Sequence, residues 1–159
     1  MRVLPGPVDG YPWAPDPGWP TLAPFWSALA NGSLSFPRCS NCLHFQWYPE
    51  DACDDCHSED LVWTPVRPSA SVHCFTVLRR ALLPGFDTPL TIVLVDIDEA
   101  PGVRMITNLI GGAEPRTGLH VEIVRREIVP GIMLPFARKW GTETGHGDSA
   151  QLEVTTVTA

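Results

Sequence analysis

Two cysteine pairs constrain this chain more than any other feature. Cys39-Ser40-Asn41-Cys42 is followed, after ten residues, by Cys53-Asp54-Asp55-Cys56. Two residues between cysteines let a tight knuckle aim both sulfurs at one point. Two knuckles on facing hairpins then supply four thiolates in a tetrahedron, the coordination of a closed structural Zn²⁺ site. With four protein ligands no position remains for water, so a zinc ion here is structural rather than catalytic. Two disulfides are the competing use, and they need an oxidising compartment that nothing else in the sequence supports. Iron takes the same four ligands in the rubredoxin manner and stays open as an alternative. His44 and His57 each lie close to a knuckle and, with four cysteines available, are expected as supporting or exposed residues. The fifth cysteine, Cys74, falls inside a strand pattern between His73 and Phe75 and is expected as a buried, inert thiol.

What surrounds the knuckles is short and turn-rich. A chain of 159 residues with 44% hydrophobic content buries one modest core. Seventeen prolines and thirteen glycines favour short strands over long helices. Residues 1–20 are rich in Pro, Gly and Trp, a composition that favours extended, polyproline-like backbone, with a floppy leader as the competing expectation. Thr21 to Ala30 reads as one short helix, with Thr21 as N-cap, Pro24 tolerated in the first turn, and Asn31-Gly32 as its end. The cysteine-bearing segment carries expected strands at Leu34–Pro37, Phe45–Tyr48 and Leu61–Thr64. Beyond Pro68 the expected strands are Ser71–Arg80, Leu90–Asp98, Val103–Leu109, Leu119–Ile128 and Ile132–Arg138. Five short strands with Gly/Pro turns suit a small closed barrel, of which the OB-fold is the commonest. The expected class is mainly β: a short N-terminal helix, a rubredoxin-like zinc ribbon, then a five-stranded OB-fold barrel. The expected division is 1–32 leader and helix, 33–67 ribbon, 68–140 barrel and 141–159 polar tail, in which Leu152–Val157 could add a strand.

Charge narrows the function classes. The formal net charge is −7, and four thiolates on one Zn²⁺ take it to about −9. Such a surface does not attract phosphate backbones at long range, which weighs against nucleic acid. Met1 to Gly6 has no apolar h-region and reads as no signal peptide, and the longest aliphatic stretch, Ile92 to Val95, is too short for a bilayer. The expectation is a soluble, cytoplasmic protein. Asp96, Asp98 and Glu99 gather at a strand end, where paired carboxylates can do acid/base work, yet acidic residues before Ala100-Pro101-Gly102 are ordinary turn residues. No Ser-His-Asp arrangement with a supporting motif appears, and Gly111-Gly112 lacks the Lys-Ser/Thr of a phosphate loop. The chain therefore reads as non-catalytic on its own.

The order of these elements resembles a known family: the bacterial and archaeal zinc-ribbon/OB-fold proteins that accompany thiolase-like acyl-CoA enzymes. The resemblance runs from about Pro24 to Trp140. It rests on Pro24-Phe25-Trp26, both cysteine pairs, Ile92-Val93-Leu94-Val95-Asp96-Ile97-Asp98, the run Val103 to Gly111, Gly118 to Val124, and Leu134-Pro135-Phe136-Ala137-Arg138. One departure is visible: the family usually has glycine directly after the second cysteine of a knuckle, where this chain has Leu43 and His57. If the knuckles need positive φ there, each costs on the order of 1 kcal/mol. The resemblance implies an accessory subunit that scaffolds a thiolase-fold or lipid-transfer-protein-like enzyme making or breaking C–C bonds in acyl-CoA substrates. Steroid side-chain retro-aldolases are among such partners, and a heterotetramer is the implied assembly.

It also implies that the barrel helps bind CoA in some members, which makes Arg125, Arg126 and Arg138 candidate phosphate contacts. Arg79, Arg80 and Lys139 are further basic residues, and solvated strand edges or partner salt bridges account for all six equally well. Trp13, Trp19 and Trp26 fit an interface, with core packing competing for Trp26. Two other classes stay open. A nucleic-acid-binding ribbon/OB module needs a basic groove with stacking aromatics. A rubredoxin-like electron carrier holds iron and is red when oxidised.

Overall fold

The computed structural model describes residues 15–80, 88–129 and 131–142. Helix α1 (Ala23–Ala30) leads into a two-stranded antiparallel ribbon, β1 (Leu34–Cys39) and β2 (Leu61–Val66). Strands β3 (Ser69–Leu78), β4 (Leu90–Ile97), β5 (Arg104–Ile110), β6 (His120–Val129) and β7 (Ile132–Lys139) follow. They close into a barrel in the order β3-β4-β5-β7-β6. All neighbours are antiparallel except β5 and β7, which run parallel from Asn108↔Phe136 to Ile110↔Arg138. This is the five-stranded Greek-key order of an OB-fold. The fold class expected from the sequence, helix then ribbon then OB barrel, is the one observed.

Alternation fills the barrel. Val93, Val95 and Ile97 of β4 face inward and meet Val72, Met105, Val121, Ile123 and Ala137, all buried. Phe25 and Leu29 of α1, with Leu34 and Phe36 of β1, belong to the same apolar cluster, so helix, ribbon and barrel share one core. Rings tie the helix to the ribbon: Phe25 lies 4.9 Å from Trp47, and Phe36 meets Trp47 edge-on at 5.2 Å.

Three sequence expectations need correction. Thr21 does not cap α1. The N-cap is Leu22, without a side-chain bond, because a turn through Trp19 takes up the preceding residues and the amides of Leu22 and Ala23 both donate to the Trp19 carbonyl. Phe45–Tyr48 is not a strand: one bridge pairs Phe45 with Arg38. Gln46 N–H reaches the Pro37 carbonyl (3.1 Å), but Pro37 has no N–H to return, so the ladder stops there. Cys74 is exposed rather than buried. A register shift between Val72 and Cys74 sets Cys74 opposite Leu94 and turns it outward. Trp13 and the stretch Leu152–Val157 lie outside the described residues. Among the described residues no helix is long and apolar enough to cross a membrane.

Candidate metal centre

The two knuckles are copies of one local structure. In the first, Leu43 N–H donates to Cys39 O (3.0 Å) and Cys39 N–H to His44 O (2.9 Å). In the second, His57 N–H donates to Cys53 O (3.0 Å) and Cys53 N–H to Ser58 O (2.8 Å). Closing each turn requires a left-handed residue just after the second cysteine, and Leu43 and His57 hold φ of 66° and 61°. These are the two positions where glycine was missing from the sequence pattern. The backbone takes the glycine conformation anyway.

The sulfurs of Cys39, Cys42, Cys53 and Cys56 lie within 4.8 Å of one another. Across the knuckles, Cys39 and Cys56 sulfurs are 3.6 Å apart, as are those of Cys42 and Cys53. Zn–S bonds of about 2.3 Å give tetrahedral edges of about 3.8 Å, so the donor set fits one such ion. Cys39 and Cys53 are buried, Cys42 and Cys56 half-buried, and none is disulfide-bonded. The thiols differ in acidity. A hydrogen bond from the Asn41 amide, followed by one from the Ser58 backbone, draws Cys56 down to about 6. At Cys42 the His44 backbone N–H favours the thiolate, but burial and the neighbouring sulfurs outweigh it and push the group up to about 12. A divalent cation removes that mutual penalty by accepting all four thiolates.

The surroundings brace the centre. His44 Nε2 lies 3.1 Å from Asp54 Oδ1 across the two knuckles, so His44 supports rather than ligates, and His57 is exposed. Arg38 Nε donates to Leu43 O (3.2 Å) while its guanidinium covers the Phe45 ring. Gln46, absent from the sequence reading, is 2% exposed and bonds the second knuckle from inside. Its signal was a lone amide between Phe45 and Trp47, midway between the cysteine pairs.

Arg125, Arg126 and Arg138 line one cavity of about 490 Å³ where α1, the ribbon and β6 meet. Arg125 Nη1 donates to Leu29 O (3.1 Å) and Ala30 O (2.6 Å), and Arg138 Nη2 to Glu122 Oε2 (2.9 Å). Arg138 Nε is buried with no hydrogen-bond partner. Arg79, Arg80 and Lys139 are exposed and outside this lining. The strand-end acids do not converge on one another. Asp96 meets His73 and Arg104, Asp98 meets Ser69, Ser71 and His120, and Glu99 meets Arg67. Ser69, His120 and Asp98 touch, but His120 uses the same Nε2 toward both partners, so its ring does not relay between them.

Comparison with known proteins decides the family. Residues 26–62 match the family model of the ChsH2 rubredoxin-like zinc ribbon domain, and residues 63–126 that of the ChsH2 C-terminal OB-fold domain. The chain belongs to the ChsH2 zinc-ribbon/OB-fold family. A solved structure titled Ltp2-ChsH2(DUF35) aldolase matches it at 26% identity with a TM-score of 0.69, covering 76% of this chain and 94% of that one. A protein of unknown function from the DUF35 family of Sulfolobus solfataricus shares the fold at 14% identity, with a TM-score of 0.56 over 76% of this chain and 86% of that chain. A probable enoyl-CoA hydratase alpha subunit of Thermomonospora curvata is 29% identical over 117 residues, which is 72% of this chain and 36% of that protein. The chain thus spans about a third of that curated relative.

Proposed function

We propose that this chain is a non-catalytic, zinc-binding subunit of an acyl-CoA enzyme complex, scaffolding a thiolase-fold partner that makes or breaks C–C bonds. The observation that carries the reading is the match to the aldolase-complex chain, which spans nearly all of that chain. Among the described strand-end residues, Asp96, Asp98 and Glu99 each engage different partners rather than one another, and this supports an accessory role. A closed four-sulfur site supports structural zinc, since an ion with four protein ligands has no open position for substrate. The cavity lined by Arg125, Arg126 and Arg138 is where CoA phosphates would meet the chain. A cytoplasmic location and a heterotetramer complete the reading.

The hydratase relative favours a second reading, in which the same module serves a hydratase partner. A tagged pull-down from native lysate separates the two. A near-stoichiometric thiolase-fold subunit supports the first, a hydratase-fold subunit the second, and nucleic acid or no partner rejects both. Cys39→Ser and Cys56→Ser are expected to unfold the ribbon and abolish assembly. Full metal content and partner binding in either variant would sink the scaffold model. Metal analysis separates zinc from iron: the zinc protein is colourless.

A further inference from the structure

We infer that Gln46 is a positioning residue of the metal centre, a buried amide that follows the first knuckle and holds the second in its metal-binding shape. The inference rests on the zinc reading above. The Gln46 side-chain oxygen accepts from the Asp54 N–H (3.2 Å), and its nitrogen donates to the Ala52 carbonyl (3.3 Å). Ala52 C=O belongs to the peptide plane before Cys53, and Asp54 N–H to the plane after it. One carboxamide therefore holds both planes flanking a ligand, which fixes the backbone angles of Cys53 and aims its sulfur. Only one orientation of the amide satisfies both bonds.

Gln46 itself is anchored independently of the metal. Its N–H donates to Pro37 O in the bridge to β1, and the neighbouring Trp47 packs on Phe25 and Phe36 of the core. The order of the core thus passes through Gln46 to the second knuckle. The amide is uncharged, so it shapes the loop without competing with four thiolates for the cation. The His44–Asp54 pair ties the same knuckles from outside, but with half-exposed and exposed partners. Outer supports of this kind are typically worth about 10–100-fold in metal affinity.

The test compares zinc dissociation constants of the full chain, measured against a chromophoric chelator, for wild type, Gln46→Leu and Gln46→Glu. Gln46→Leu is expected to bind zinc about 10–100-fold more weakly. Its Co²⁺ derivative should keep a tetrahedral four-thiolate spectrum, since all four ligands remain. Gln46→Glu keeps the acceptor for Asp54 N–H, loses the donor to Ala52, and falls between; it also serves if Gln46→Leu does not fold. Thr107→Val is the control, because it removes a buried hydrogen bond to Pro135 O inside the barrel. It should lower stability without moving zinc affinity. Wild-type zinc affinity in the Gln46 variants overturns the inference, as does an equal loss in Thr107→Val. A wild-type chain that takes no zinc overturns the zinc reading and this inference with it.

Discussion

Leu43 and His57 carry the cost of closing the knuckles, since L-residues with φ near +60° are strained by about 1 kcal/mol or more. Leu43→Gly and His57→Gly are each expected to raise stability by about 0.5–1 kcal/mol, after discounting the extra freedom glycine has when unfolded. Denaturant unfolding of the zinc-loaded variants checks this, and a loss of stability would show that the side chains make compensating contacts. Asp96 offers a pH test. Folding removes some of its water, which opposes ionisation, but the hydrogen bonds and charges of Arg104 and His73 outweigh this and hold its carboxyl below 3.8. Its contribution is therefore complete above about pH 4 and lost as pH falls through the lower folded value. The side chain is 45% exposed, so the contribution stays below about 1 kcal/mol. The stability gap between wild type and Asp96→Asn should close in acid; a gap that widens would reverse the assignment. Such partners lie on other strands, and no local pattern in the sequence names them.

Helix α1 shows what an element can and cannot announce. Its end was legible at Asn31-Gly32. Gly32 takes φ of 87°, its N–H bonds Leu29 O, and Ser33 N–H bonds Ala28 O, which together form a Schellman cap. The distant donor at this helix end was not legible, because Arg125 Nη1 donates to Leu29 O and Ala30 O from strand β6, 96 and 95 residues away. There the guanidinium also complements the negative end of the helix. A Cβ at residue 32 would stand 3.2 Å from Arg125 Nη2. Gly32→Ala is therefore expected to cost about 1–2 kcal/mol through backbone strain, with some further loss from displacing Arg125. Arg125→Met should cost about 1–3 kcal/mol for its charged hydrogen bonds. Chemical denaturation measures both, and a neutral Arg125→Met would mean that the helix end is satisfied without it.

At the scale of the molecule, one apolar cluster joins helix, ribbon and barrel, so zinc bound at the four sulfurs would stabilise more than the loops that hold it. Above its dissociation constant, each tenfold rise in free zinc should add about 1.4 kcal/mol to the unfolding free energy of the whole chain. Chelation should move the ribbon and barrel transitions together in thermal unfolding, and a barrel transition indifferent to zinc would refute the shared core. The sequence by itself determined the four-sulfur site, the β class and most strand positions. Those depend on cysteine spacing, side-chain alternation and turn residues within a few positions of one another. Only the tertiary structure decided that β5 and β7 run parallel, that Cys74 faces outward, that Arg125, Arg126 and Arg138 share a cavity, and that Gln46 bonds Ala52 and Asp54 on either side of Cys53. Each of these depends on pairings between distant segments, where a single bulge or a missing proline N–H redirects a side chain without leaving a periodic trace in the sequence.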